Sequence, residues 1–229
     1  RWLISRRADH DRALEIMQRI EPERPRDELE AEARTIELAV EDEQKITGFS
    51  RLRKPIMLAF LIAFFNQLSG INAILYFAPR IFELTGLGDK AALLRSVGIG
   101  VTNLVFTFVG LALIDRVGRR TLLIIGSVGY ILSLGMTSWA FFAERYTIVP
   151  ACIFAFIAAH AIGQGAVIWV FISEIFPNRN RAAGQALGSF THWLFAASIT
   201  LVFPIAIGAF DAGVLFAFFC AMMCLQLIW

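Results

Sequence analysis

From about position 55 onward the chain runs in long apolar stretches, whereas residues 1–54 interleave charged positions with apolar ones at helical spacing. Crossing a hydrocarbon core takes roughly 20 apolar residues of helix. That length predicts spans near 55–79, 92–114, 121–143, 148–176 and 183–209, with a sixth over 212–229 that the end of the chain cuts short. The short turns between them predict packed helical hairpins. The six spans divide into two groups of three that run in opposite directions through the membrane, and residues 55–229 are expected to form one bundle.

Residues 1–54 predict two helices outside the membrane. One covers about Asp9 to Ile20, with Ala13, Ile16, Met17 and Ile20 on a stripe; Pro22 and Pro25 end it. A second runs from about Arg26 to Lys45, and its seam of Leu29, Ala33, Ile36 and Val40 predicts that it docks on another surface.

Polar residues interrupt the spans at two matched places. Asn66-Gln67-Leu68-Ser69-Gly70-Ile71-Asn72 puts three amides and a glycine into the apolar run from Ile56 to Ala78. An amide has a carbonyl acceptor and two N–H donors, and hydrocarbon satisfies neither. The fourth span, the topological counterpart of the first, carries Gly163-Gln164-Gly165. Glycine-interrupted polar segments at corresponding places in inverted repeats point to a transport site at the midplane. On a straight helix Ser69, Asn72 and Tyr76 share a face and Gln67 lies nearly opposite, so convergence on one ligand requires a break near Gly70. Amides that join helices to each other are the competing explanation.

Further candidates lie at helical spacing around these segments. His160 and Gln164 are four apart on one face; Trp169 lies well inside the fourth span; His192 is followed by Trp193 in the fifth; Asn103 is the lone amide of the second. Buried histidine serves either as a proton carrier or as a neutral hydrogen-bonded ring.

Charge sets the orientation. Of the chain's 40 charged residues, 25 lie in residues 1–54, as 12 Lys/Arg and 13 Asp/Glu. The loop holding Arg116, Arg119 and Arg120 and the one holding Arg179 and Arg181 are basic, whereas the opposite loops hold only Arg80, Lys90, Arg95 and Arg145. The positive-inside rule therefore predicts that residues 1–54 and the arginine loops are cytoplasmic. In Asp115-Arg116-Val117-Gly118-Arg119-Arg120 a tight turn needs Gly118, and Glu174 in Ser173-Glu174-Ile175-Phe176-Pro177 is the expected partner for an arginine, a latch that would open and close with state.

Several function classes drop out. The formal net charge of +2 does not suggest nucleic acid. No phosphate-binding glycine loop, histidine pair at metal spacing or nucleophile elbow occurs, so neither an enzyme nor a metal or other cofactor is expected. Cys152, Cys220 and Cys224 sit in apolar runs as small hydrophobes.

Together these motifs resemble the C-terminal half of the sugar porter family of the major facilitator superfamily. Arg1-Trp2-Leu3 is similar to the end of that family's Pro-Glu-Ser-Pro-Arg-Trp-Leu motif; Asn66 to Asn72 with Tyr76, Phe77 and Pro79 is similar to its Gln-Gln-x-Ser-Gly-x-Asn segment; Asp115 to Arg120 resembles its arginine turn; Trp169 with Ser173 to Pro177 and Arg181 resembles its tenth-helix motif. The resemblance implies an all-α membrane protein, a six-helix bundle built as a 3+3 inverted repeat with its last helix truncated, preceded by a cytoplasmic helical arm.

It further implies transport of a monosaccharide by alternating access, as a proton symporter or a facilitator, in partnership with the lipid bilayer and an N-terminal six-helix half of the same protein. The membrane expected is the plasma membrane, or the inner membrane of a bacterium. Asn66, Gln67, Asn72 and Asn103 would bind sugar hydroxyls, Trp169 would contact the ring and Trp193 would line the lower cavity. His160 stands in place of an aromatic at the pocket edge, His192 in place of an Asn or Gln, and Ala166 and Ile168 in place of prolines. Tyr76, Arg116, Gly118, Arg119, Arg120, Glu174 and Arg181 would gate the path. Another polyol such as inositol, or a sugar sensor without flux, are the alternatives.

Overall fold

The computed structural model describes residues 9–45, 49–86 and 89–229, the side chains of 39–51, 89–93 and 96 excepted. The Arg1-Trp2-Leu3 match and the Val40 side chain therefore lie outside the described residues. The described residues are helical with short connections and contain no strand. They divide into two compact units, Arg1–Lys54 with Pro177–Arg179, and Pro55–Phe176 with Asn180–Trp229.

In the first unit, α1 (His10–Ile20) and α2 (Arg26–Lys45) form a helical hairpin. Asp9 caps α1 by accepting from the Arg12 backbone N–H at 3.3 Å. Pro22 and Pro25 keep the link out of helix, and the Gln18 amide ties it down by donating to the carbonyls of Pro22 and Arg24. The seam of α2 docks on α1: Leu29 and Ala33 are buried against Ala13 and Leu14, with Met17 and Ile36 beside them. The predicted stripe on α1 is thus rotated. Ile16 and Ile20 are 41% and 71% exposed, and Leu14 takes the inner position, because α1 meets one short partner and ends at the turn. Arg24 sits among Glu21, Glu32 and Glu28 at 2.7, 2.9 and 3.5 Å. Its hydrogen bonds, to Glu21 first and Glu32 next, raise the guanidinium above its ordinary pKa.

The second unit holds the apolar helices. Among the described residues five are long and apolar enough to cross a membrane, over Leu52–Glu83, Val97–Val117, Arg119–Phe142, Tyr146–Ile175 and Arg181–Ala209. A sixth, α10 (Ala212–Ile228), is shorter, about 26 Å at 1.5 Å per residue. The first span is two helices, α3 (Phe49–Leu68) and α4 (Ile71–Glu83); α5 (Asp89–Val117) and α6 (Arg119–Phe142) follow, separated only by Gly118 at φ 89°. The fourth joins α7 (Val149–His160) and α8 (Ala166–Ile175) through a π-helical turn, Ala161–Gly165. The fifth is α9 (Arg181–Ala209).

α6 is the axis of the packing, in contact with both α7 and α10. Small residues let it approach closely. A Cβ on Gly126 would stand 2.9 Å from the Gly163 Cα, and one on Gly163 would stand 2.7 Å from the Gly126 Cα. Its hydroxyls turn back on backbone carbonyls, Ser133 on Gly129 and Thr137 on Ser133, while Ser138 donates across to the Gly213 carbonyl at 2.8 Å. Cys220 donates weakly to the Ile131 carbonyl, and all three cysteines are free. One core runs through α4, α6, α7 and α10 around Phe82, Tyr130, Phe156 and Phe216. A second joins Ala59, Ile62 and Ala63 of α3 to Ile168 and Ile172 of α8.

Candidate functional site

The break in the first span is built by its own sequence. Gly70 takes φ 80° and ψ 11°, the left-handed region that glycine enters without steric cost. Its N–H closes α3 on the Gln67 carbonyl at 3.0 Å, and its carbonyl opens α4 by accepting from Ile74 at 2.8 Å. Ser69 bridges the gap, donating to the Asn66 carbonyl at 2.6 Å and accepting from the Ile71 N–H at 3.3 Å. A Cβ at Gly70 would also meet the Phe219 ring at 2.6 Å.

Turning the chain here brings the amides together. Gln67 Oε1 accepts from Asn72 Nδ2 at 2.8 Å, and Gln67 Nε2 donates to Asn66 Oδ1 at 3.3 Å. The same nitrogen lies 2.9 Å from Nδ1 and 3.1 Å from Nε2 of His192 on α9. The His192 ring in turn lies between two tryptophans, with centroids 4.9 Å from Trp169 of α8 and 5.2 Å from Trp193. Gln185 holds the α8 side by donating to the Trp169 carbonyl at 2.9 Å. Four helices thus contribute to one cluster of amides, imidazole and indoles.

Within that cluster the residues are not equally open. Asn66 and Gln67 are 1% and 0% exposed, so they stand behind the surface. Asn72, His192 and Trp169 are half-buried, and Trp193 is 60% exposed. The open face therefore offers an amide, an imidazole and indole rings, with Gln67 holding two of them from behind.

The π turn in the fourth span makes different pairings. His160, at its start, is hydrogen-bonded through Nδ1 to the Tyr130 hydroxyl of α6. Gly165 leaves room for that ring, since a Cβ there would come within 2.9 Å of His160 Nε2. Gln164 is fully buried and donates to Gln226 Oε1 of α10 at 2.7 Å and to Ser127 Oγ of α6 at 3.5 Å, while its own Oε1 has no partner among the described residues. This is the interhelical joining that amides perform in membranes. His160 and Gln164 are thus bonded to α6 and α10, and neither is bonded to the Gln67 cluster. Asn103 lies on α5, where its backbone carbonyl accepts from the Thr107 hydroxyl at 2.7 Å. Tyr76 is exposed on α4.

Tyr130, Gln226, Ser127 and Gln185 are partners that sequence reasoning missed. Gln226 carried a signal of the same kind as Asn66 to Asn72, an amide in an apolar run; a lone tyrosine or serine in such a run carries little.

Where α5 ends and α6 begins, Arg119 Nη2 donates to Glu174 Oε1 at 2.9 Å, and Nη1 donates to Asp115 Oδ1 at 3.0 Å and to the Ile114 carbonyl at 3.2 Å. Gly118 places it there by turning α5 directly into α6. Arg116, Arg120 and Arg181 are exposed and make no ion pair among the described residues. Of the arginines in this turn, Arg119 is thus the one held in ion pairs among the described residues.

Comparison with known proteins gives these arrangements a setting. The family described as "Sugar (and other) transporter" matches residues 1–229. The chain is 32% identical over 226 residues to the arabinose-proton symporter of Bacillus subtilis (strain 168), covering 96% of this chain and 48% of that protein. It is 30% identical over 210 residues to the glucose facilitated diffusion protein of Zymomonas mobilis, covering 91% and 44%. Among solved structures, a major facilitator superfamily proton:xylose symporter bound to 6-bromo-6-deoxy-D-glucose superposes with a TM-score of 0.80 at 28% identity, over 99% of this chain and 49% of that one. The xylose transporter from E. coli in a partially occluded inward-open conformation superposes with a TM-score of 0.67 at 26% identity, over 99% and 47%. The chain spans about half the length of the relatives it matches.

Proposed function

The chain belongs to the sugar transporter family of the major facilitator superfamily, and from that premise we propose that it forms the C-terminal half of a monosaccharide transporter that works by alternating access. The family is one of multi-pass membrane transporters and not of enzymes. The observation that carries the proposal is the convergence of Asn72, Gln67 and His192, with Trp169 and Trp193 beside them, at a break in the first span. Sugar hydroxyls both donate and accept, as amides do, and an indole face covers the apolar C–H face of a pyranose.

In this reading Asn72, His192 and Trp169 meet the sugar, with Gln67 and Asn66 supporting them from within. Asn103 joins them from α5, and His160 and Gln164 shape the far wall through Tyr130 and Gln226. The N-terminal half of the same protein supplies the opposite wall. Arabinose, xylose and glucose, carried by the relatives, are the substrates to try first. Residues 1–54 form a cytoplasmic helical domain, 55–229 the transmembrane bundle, and the protein resides in the plasma membrane or a bacterial inner membrane. Arg119 with Glu174 and Asp115 closes the cytoplasmic side in the outward-facing state.

Uptake of radiolabelled D-xylose, L-arabinose and D-glucose by the complete protein in sealed vesicles tests the proposal. Saturable flux of at least one, competed by the unlabelled sugar, is the expected result. Binding without flux would point to a sensor, and flux of inositol alone to a different polyol porter.

A further inference from the structure

Each of the two interrupted spans has a polar side chain at its interruption. In the first, Ser69 donates to the Asn66 carbonyl and accepts from the Ile71 N–H, so its hydroxyl joins the end of α3 to the start of α4. In the fourth, His160 immediately precedes the π turn Ala161–Gly165, and its ring lies over Gly165, where a Cβ would come within 2.9 Å of Nε2. These two side chains share a neighbour. Tyr130 of α6, fully buried and stacked on Phe156 at 4.9 Å, is hydrogen-bonded to His160 Nδ1, and Ser69 is a second hydrogen-bonding neighbour of the same hydroxyl. Ile71 and Ile74 of α4 pack in the same core as Tyr130.

We propose that Tyr130 is a positioning residue that couples the break in the first span to the π turn in the fourth, and so holds Asn72 and Trp169 in register across the sugar site. A phenol donates one proton and also accepts, so one hydroxyl can serve both neighbours. Ser69 already gives its own proton to Asn66 and meets Tyr130 as an acceptor, whereas imidazole Nδ1 can take either part. Tyr130 acts from outside the Gln67 cluster: through Ser69 on α4, which carries Asn72, and through His160 on the turn that leads into α8, which carries Trp169. The inference rests on the sugar-binding reading above for what the coupling serves; the coupling itself rests on these contacts.

The test uses the complete transporter in detergent, in a cycle of Ser69→Ala and His160→Phe made with Tyr130 present and again with Tyr130→Phe. D-xylose and D-glucose affinities and the thermal midpoint are both measured. With Tyr130 present, the affinity change of the double variant is expected to differ from the product of the two single changes by about threefold or more, the size of one neutral hydrogen bond, and the midpoint shifts are not additive. With Tyr130→Phe the same two substitutions act independently.

Independent effects with Tyr130 present overturn the proposal, and so does a coupling that survives Tyr130→Phe. Where Ser69→Ala or His160→Phe fails to fold, Tyr130→Phe alone decides by amide hydrogen exchange. Faster exchange is expected in both segments 66–74 and 160–166, and a change in one alone or in neither overturns the proposal. Coupled midpoints in a protein that binds neither sugar overturn the sugar-binding reading while the coupling stands, an outcome distinct from sugar binding without coupling.

Discussion

At Gln67 both ends of one buried amide are engaged within the protein, its oxygen by Asn72 and its nitrogen by Asn66 and His192. Cutting it back strands those partners, and a buried polar group without a partner costs about 1–3 kcal/mol. Gln67→Ala is expected to weaken sugar binding by about tenfold or more, while the protein stays folded. Isothermal titration beside circular dichroism checks this, and unchanged affinity would remove Gln67 from the site. That the amides matter was legible in the sequence, because polarity inside hydrocarbon needs a reason. Their partner was not: His192 lies 125 positions away, and only packing of α3 against α9 brings it near. The Gln164–Gln226 pair was hidden in the same way, 62 positions apart.

The two interrupted spans are interrupted differently. In the first, the left-handed Gly70 separates α3 from α4; in the fourth, a π turn adds a residue while the helix continues. On a straight helix Gln67 and Asn72 lie on different faces, so a break at Gly70 was legible from their positions, and the structure has that break. The glycines at 163 and 165 signalled distortion but not its form, since the form depends on the contact of Gly163 with Gly126 and on space for His160 beside Gly165. Gly70→Ala tests the first element. It places a Cβ in a left-handed conformation, at roughly 1–2 kcal/mol, and against the Phe219 ring, where overpacking costs about 1–3 kcal/mol. The expected outcome is a thermal midpoint lower by several degrees in detergent, and an unchanged midpoint would mean that the backbone at Gly70 is not held in this form.

At the scale of the whole molecule, α5 and α9 leave most of their apolar surface uncovered, with Val101, Leu104, Phe108, Phe190, Leu201 and Ile205 exposed. Such surface suits lipid and, in the proposed transporter, a second half-bundle. The number and order of the apolar helices could be read from length and hydropathy alone. Which arginine of the loop pairs with Glu174 could not, because Arg116, Arg119 and Arg120 are equivalent in charge and differ only in where Gly118 turns them. Arg119→Ala is expected to shift the complete transporter severalfold toward the inward-open state, measured by spin-label distances across the cytoplasmic side; an unchanged distribution would count against the latch.

In the proposed transporter the break at Gly70 assembles a sugar site from α3, α4, α8 and α9. A sugar-bound structure of the complete transporter, with D-xylose or D-glucose, tests it most directly. Ring density against Trp169, with a hydroxyl at Asn72 and His192 alongside, is expected; well-defined sugar density elsewhere, with Asn72 and His192 untouched, would place the site outside this break.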